Sequence, residues 1–185
     1  MSQTTKLVVC ALAITLFAGV ASAQSPLLVD YFANAGSGPD GTLRITNTGS
    51  SGGHLCADIY VYDQYQELSE CCSCLVTPNG LRTLSVDTDL TKDPLTGVKL
   101  ATGSIRIISA APVNGSCPLP TIGKVTPAAG IESWTTHIQN ASSITETASQ
   151  GSSLSAGEQQ ALTNACYAVS LVGSGSGICS CGTGD

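Results

Sequence analysis

The chain has 185 residues, with 13 Asp and Glu against 7 Lys and Arg, a formal net charge of −6 at neutral pH. That balance argues against nucleic acid or an anionic membrane surface as partner, because both select a basic face. Only 11% of residues are charged, and Ser, Thr and Gly are plentiful, a composition common among exported β-proteins that names no function by itself.

The chain opens MSQTTKLVVCALAITLFAGVASAQ. Lys6 supplies a short positive start, residues 7–20 form an apolar run of 14 residues, and Ala21-Ser22-Ala23 fits a signal-peptidase site. A cleaved signal peptide over 1–23 is therefore expected, removing Cys10 and leaving residues 24–185 as a single β-rich domain, exported to the periplasm or the medium. The apolar run is shorter than the roughly 20 residues that cross a bilayer, so no membrane span is expected in the mature chain. The polar ending CSCGTGD lacks the hydrophobic tail that precedes a lipid anchor.

From residue 27 to 147, short alternating segments are bounded by turn chemistry. In TLRIT, Leu43 and Ile45 share one face while Thr42, Arg44 and Thr46 share the other. In HLCADIYVY, Leu55, Ala57, Ile59 and Val61 oppose His54, Cys56, Asp58, Tyr60 and Tyr62. RTLSV, SIRIIS and SWTTHI repeat the period of two, which predicts half-buried strands. GSGPDG, TGSSGG, TPNG and PVNG separate them as loops. Strands in succession without intervening helices favour a β-sandwich, of Ig-like architecture, over a βαβ fold.

His54, Cys56 and Asp58 fall at i, i+2 and i+4 on one strand face, a pattern that invites a cysteine nucleophile or a metal. A bridged Cys56 would remove the nucleophile, and a polar strand face carrying one disulfide is the reading favoured. If Asp63-Gln64 is a two-residue hairpin turn, Tyr62 opposes Tyr65 and Cys56 opposes Cys71, within disulfide reach. Asp-Gln is not the preferred turn dipeptide.

ECCSC follows, with Cys71, Cys72 and Cys74. In an extended segment Cys72 and Cys74 face one side and Cys71 the other. Thiolates hold zinc or cuprous copper well, but the C-x2-C spacing of structural zinc sites is missing. Pairing of Cys72 and Cys74 with distant cysteines, joining sheets or holding the tail, is the expectation. DTDLTKD brings Asp87, Asp89 and Asp93 together, but Thr91, Lys92 and Val98 stand where an EF-hand needs an oxygen ligand, Gly and Glu. The segment reads as a solvated turn, with calcium left open. Asn114-Gly115-Ser116 and Asn140-Ala141-Ser142 match glycosylation sequons, which matter only in a eukaryote. His137 follows Trp134 on another strand, and the two histidines of the chain meet only if their strands do.

The Ser/Thr-rich tract 139–155 reads as a loop with a short strand at 144–147. Ser155 and Glu158 then form a capping-box pattern in which each side chain satisfies an amide of the first turn. Leu162, Ala165, Cys166 and Val169 recur at helical spacing until Gly173, predicting a helix over about 156–171 and a cysteine-containing tail over 173–185. Cys166 lies on the apolar stripe, positioned to tie the helix to the sheet or to the tail.

After signal removal eight cysteines remain: Cys56, Cys71, Cys72, Cys74, Cys117, Cys166, Cys179 and Cys181. An even count in an exported chain reads as a disulfide framework of up to four bridges, with 105 possible pairings. No G-x-S-x-G elbow, phosphate loop or adjacent carboxylate couple stands out, so no catalytic, cofactor or metal residue is assigned and no cofactor is implied.

LCADIYVYDQYQELSECCSCLVTPNGLRTLSVDTDL, with WTTHIQ, ITET and GSGSGICSCG, resembles uncharacterised cysteine-containing exported proteins of soil bacteria over most of the mature chain. The resemblance implies bacterial export and a recurring domain. It transfers no activity and no site residue.

The sequence therefore points to a disulfide-stapled β-sandwich with one C-terminal helix, acting as a non-catalytic binding or structural module on an extracellular ligand or surface component. A secreted hydrolase of carbohydrate or peptide is the alternative, and a thiolate metal-binding protein is third.

Overall fold

The structure, a computed structural model, describes residues 25–34 and 39–182. The expected signal peptide 1–23, with Cys10, lies outside the described residues, as does the tail end 183–185. Among the described residues nine strands precede one helix. They are β1 Leu27–Ala33, β2 Thr42–Asn47, β3 Leu55–Asp63, β4 Leu68–Val76, β5 Leu81–Ser85, β6 Thr102–Ala110, β7 Ile131–Asn140, β8 Ser143–Ala148 and β9 Gln150–Ser152, followed by α1 Ala156–Leu171. The strands form two antiparallel sheets, ordered β4-β3-β6-β1-β9 and β5-β2-β7-β8. The mainly-β sandwich with a C-terminal helix, expected from alternation, is the architecture found.

Period-two alternation builds the main core. Leu28, Phe32, Ile59, Val61, Ile105 and Ile107 of the first sheet meet Leu43, Ile45, Leu84 and Ile131 of the second, all buried. Gly103 lies in this layer because a Cβ there would sit 2.1 Å from the Tyr62 carbonyl oxygen and 2.7 Å from the Phe32 ring. A second cluster forms on the outer face of the first sheet, where Leu27, Cys56, Tyr60, Cys71 and Ile108 lie under Val125 and under Leu162 and Cys166 of α1. Residues 55–61 are consequently buried on both faces, not half-buried.

The β3–β4 connection differs from the two-residue turn. The Asp63 carboxylate accepts the amides of Tyr65 and Glu67, Gln66 adopts φ 70°, and the register shifts between Val61 and Tyr62. The longer loop and the bulge place Cys71 opposite Tyr60 and Cys56 opposite Leu75. The Cys56–Cys71 bridge is thereby excluded, and Cys56 pairs with Cys117 instead.

The tract 139–155, read as a loop with a short strand at 144–147, holds that strand as β8 and adds β9. The two form one bent strand that leaves the second sheet at Ser149 and enters the first. The opposite side of the sandwich is closed by the tail. Cys71 N donates to the Gly177 carbonyl and Cys179 N to the Cys71 carbonyl, while Ser180 N donates to the Asp89 carbonyl. The edge of β4 is thus covered, which protects it from pairing with another chain.

Helix α1 starts as its cap predicts, with Ser155 Oγ accepting the Glu158 amide at 3.1 Å. The reciprocal half of the capping box is replaced, because the Glu158 carboxylate pairs with Arg106 at 2.8 Å. Gly173, at φ 67°, ends the run.

Candidate functional site

The sulfurs decide the first question of chemistry. Cys56–Cys117, Cys71–Cys166, Cys72–Cys179 and Cys74–Cys181 are disulfides, so all eight remaining cysteines are bridged. Cys71 points outward to α1, while Cys72 and Cys74 point inward to the tail, as alternation along β4 requires. In this oxidised state none offers a thiolate for nucleophilic attack or metal ligation.

The His54, Cys56, Asp58 row is likewise dismantled. His54 is exposed ahead of β3, and Cys56 is bridged. Asp58 is only 3% exposed and accepts the Ser73 hydroxyl. Burial pushes its carboxyl up to about 7, with the Ser73 bond opposing the shift.

His137 belongs to a polar cluster that local sequence does not reveal, since its partners come from β1 and the β8–β9 corner. Its Nε2 lies 2.7 Å from Thr147 Oγ1 and 4.0 Å from Asp30 Oδ1. The ring stacks on Tyr31 with centroids 3.9 Å apart. Ser149 donates to Asp30 Oδ2, and Ser133 donates to Ser149. Asp, His and hydroxyl suggest a catalytic triad, but a triad places hydroxyl and carboxylate on opposite ring nitrogens. Here both approach Nε2, Nδ1 has no partner, and the imidazole is fully buried. Burial holds the ring below its ordinary 6.5 against the opposing charge of Asp30. The cluster fastens the corner where β8 changes sheet.

The three aspartates of DTDLTKD do not converge. Asp87 accepts Asn34 Nδ2 at 2.7 Å and Lys99 Nζ at 2.9 Å. Asp89 accepts the Ser85 amide and the Ser180 hydroxyl, both at 2.8 Å. Asp93 lends its amide to Glu70 Oε1 at 3.1 Å. The segment that reads as a solvated turn is a single π turn, Val86–Leu90, with Ser85 as its cap.

Two of the open surfaces present a large aromatic side chain. A cavity of about 290 Å³ lies between the β3–β4 turn and residues 96–102, lined by Tyr65, Glu67, Val98 and Leu100. The larger surface is the outer face of the β5-β2-β7-β8 sheet, on which no described element packs as α1 packs on the first sheet. Register places Thr83, Arg44, Trp134 and Ala148 side by side across it, with Thr42, Thr136 and Glu146 in the next row. Arg44 and Glu146 pair across β7, which carries the chain's only tryptophan. Trp134 is half-buried there, belongs to neither core cluster, and has no hydrogen-bond acceptor for its indole N–H among the described residues.

Fold and surfaces together define a disulfide-stabilised β-sandwich domain whose four bridges fit an oxidising compartment. Among the described residues, no helix is long and apolar enough to cross a membrane. Compared with known proteins, the chain matches no family model, no curated protein and no solved structure.

Proposed function

We propose that the protein is an exported, non-catalytic binding module acting outside the cytoplasm, and that its ligand lies across the open sheet face around Trp134. The apolar run with Ala21-Ser22-Ala23 and the four bridges support export. The observation that carries the binding reading is an uncovered four-strand face with a tryptophan on one of its two central strands. An indole supplies a broad apolar surface with one polar tip. Around it stand four threonine hydroxyls and one self-compensated ion pair. Thr42 and Thr136 bond each other at 2.9 Å, Thr46 donates to the Gly80 carbonyl and keeps its acceptor side, and Thr83 stands beside Arg44. That combination suits a neutral, hydroxyl-rich surface component such as a polysaccharide better than a polyanion, which the net charge of −6 repels.

The single tryptophan makes the test direct. Purified mature protein is titrated with soluble neutral polysaccharides while indole emission and binding heat are followed together. Saturable binding with a matching emission change, lost in Trp134→Ala and weakened in Arg44→Ala, is expected. Heat of binding without an emission change moves the site elsewhere, to the Tyr65 cavity first. Release of reducing ends would establish the hydrolase alternative.

A further inference from the structure

Two of the four disulfides lie side by side, and their arrangement carries more than stapling. Cys72 and Cys74 occupy alternate positions of β4, and Cys179 and Cys181 do the same on the tail, which runs parallel to it through the Cys71–Ile178 bridge. Residues i and i+2 of an extended segment share a face, so all four side chains enter the same space. The Sγ atoms of Cys72, Cys74 and Cys181 lie within 4.8 Å of one another, and Cys179 Sγ is bonded to that of Cys72. Strand pairing thus brings three of the sulfurs together as a C-x2-C knuckle does elsewhere, with Cys179 Sγ outside that set but on the same face and bonded to Cys72.

We propose that these four sulfurs are also a closed tetrathiolate site for zinc, with the two disulfides as its oxidised, metal-free form. With Zn–S bonds of about 2.3 Å, tetrahedral geometry sets neighbouring sulfurs about 3.8 Å apart. The Cα atoms already stand 5.2 Å and 5.4 Å apart across the two bridges, so side-chain rotation accounts for the separation the sulfurs need. The tail does not depend on its sulfurs alone for position. Cys71 N to Gly177 O at 2.9 Å, Ser180 N to Asp89 O at 2.9 Å and Ser180 Oγ to Asp89 Oδ1 at 2.8 Å hold it against β4 and the π turn. Arg82 adds a cation beside the cluster, its Nη1 on the Cys181 carbonyl at 2.7 Å. That charge offsets part of the net negative charge of four thiolates around a divalent ion.

The chemistry balances with a dithiol as reductant. Each bridge takes two electrons and two protons from one dithiol, which leaves as a cyclic disulfide. The four thiols then release their protons as one Zn²⁺ binds. Cys71 and Cys166 lie on the other face of the first sheet and Cys56 and Cys117 beside them in the outer cluster, so they contribute no ligand. The inference is independent of the reading of the Trp134 face.

The test uses the mature protein reduced with excess dithiol, desalted without oxygen and given one equivalent of Zn²⁺ or Co²⁺. Alkylation and peptide mapping should find Cys72, Cys74, Cys179 and Cys181 protected until chelator is added, while Cys56, Cys71, Cys117 and Cys166 react. Cobalt should give a thiolate charge-transfer band at one ion per chain, absent in Cys74→Ser/Cys181→Ser. Slowed amide exchange in β4 on metal addition is expected as well. Equal alkylation of all eight overturns the proposal. So does metal uptake that leaves β4 amides unprotected, since that is chelation by an unfolded chain.

Discussion

Asp58 and Glu70 are two carboxyls that the fold takes out of water without a cation. Asp58 keeps the Ser73 hydroxyl, under the roof of the outer cluster. Glu70 is fully buried, with Oε1 on the Asp93 amide and Oε2 without a partner. Burial lifts Asp58 from its ordinary 3.8 to about 7 and Glu70 from 4.5 to about 8, where the Asp93 amide opposes the rise and the Asp93 charge adds to it. A raised carboxyl pKa means the folded chain keeps a proton that the unfolded chain has released. The stability these two groups contribute is therefore greatest in mild acid and falls as pH rises, through the window from 3.8 to about 7 for one and from 4.5 to about 8 for the other, outweighing the opposite trend of the single buried His137. Each contributes a slope of at most about 1.4 kcal/mol per pH unit. Urea unfolding at pH 5 and pH 8 should give a higher midpoint at pH 5. Asp58→Asn and Glu70→Gln should each flatten that difference. A midpoint that rises toward pH 8 in the parent protein would sink this account.

Strands were the most legible elements, because period-two patterns in TLRIT, HLCADIYVY and SIRIIS are set by burial on one sheet face. Register was less legible. It turned on the Asp63 side chain capping two amides and on a bulge at Val61–Tyr62, neither of which leaves a dipeptide signature. The second layer over β3 was hidden as well, since Cys56, Asp58 and Tyr60 read as an exposed polar face until α1 and Val125 cover them. The candidate sites fared the same way. The His137 cluster depends on Asp30 and Ser149, far away in sequence, and the Trp134 face on knowing which sheet the helix leaves bare. The Cys166 position did foretell that α1 is tied to the body of the domain. That tie makes the helix the element most sensitive to one bridge. Cys71→Ser/Cys166→Ser should cost about 2–5 kcal/mol in chemical denaturation. The helix should lose amide protection and the outer cluster should bind a hydrophobic dye. Unchanged protection over 156–171 would mean that packing of Leu162 and Val169 alone holds it.

At the scale of the whole molecule, the bridges close sequence separations of 61, 95, 107 and 107 residues. Three of them run from β4 to residues beyond 165, so that strand is completed only when the last part of the chain arrives. Neighbours Cys71 and Cys72 point to opposite faces and take different partners, one the helix and one the tail. Exchanging those partners by a single residue would send the tail to the outer face and the helix into the sandwich, where Ile59 and Ile105 already fill the space. Pairings that exchange Cys71 with Cys72 are therefore incompatible with both cores, but random oxidation of a collapsed chain samples adjacent cysteines almost equally. Correct pairing must follow sheet formation, and long-range antiparallel pairing is slow. Oxidative refolding of the fully reduced chain in air should accordingly trap forms with Cys71 and Cys72 exchanged. A reduced and oxidised glutathione mixture, which lets bridges reshuffle, should convert them to the native set, read by peptide mapping over time. If air oxidation yields the native set at the same rate and extent, the sheet forms before any bridge and selects the partners unaided. The disulfides would then lock a fold that the β-strands had already specified.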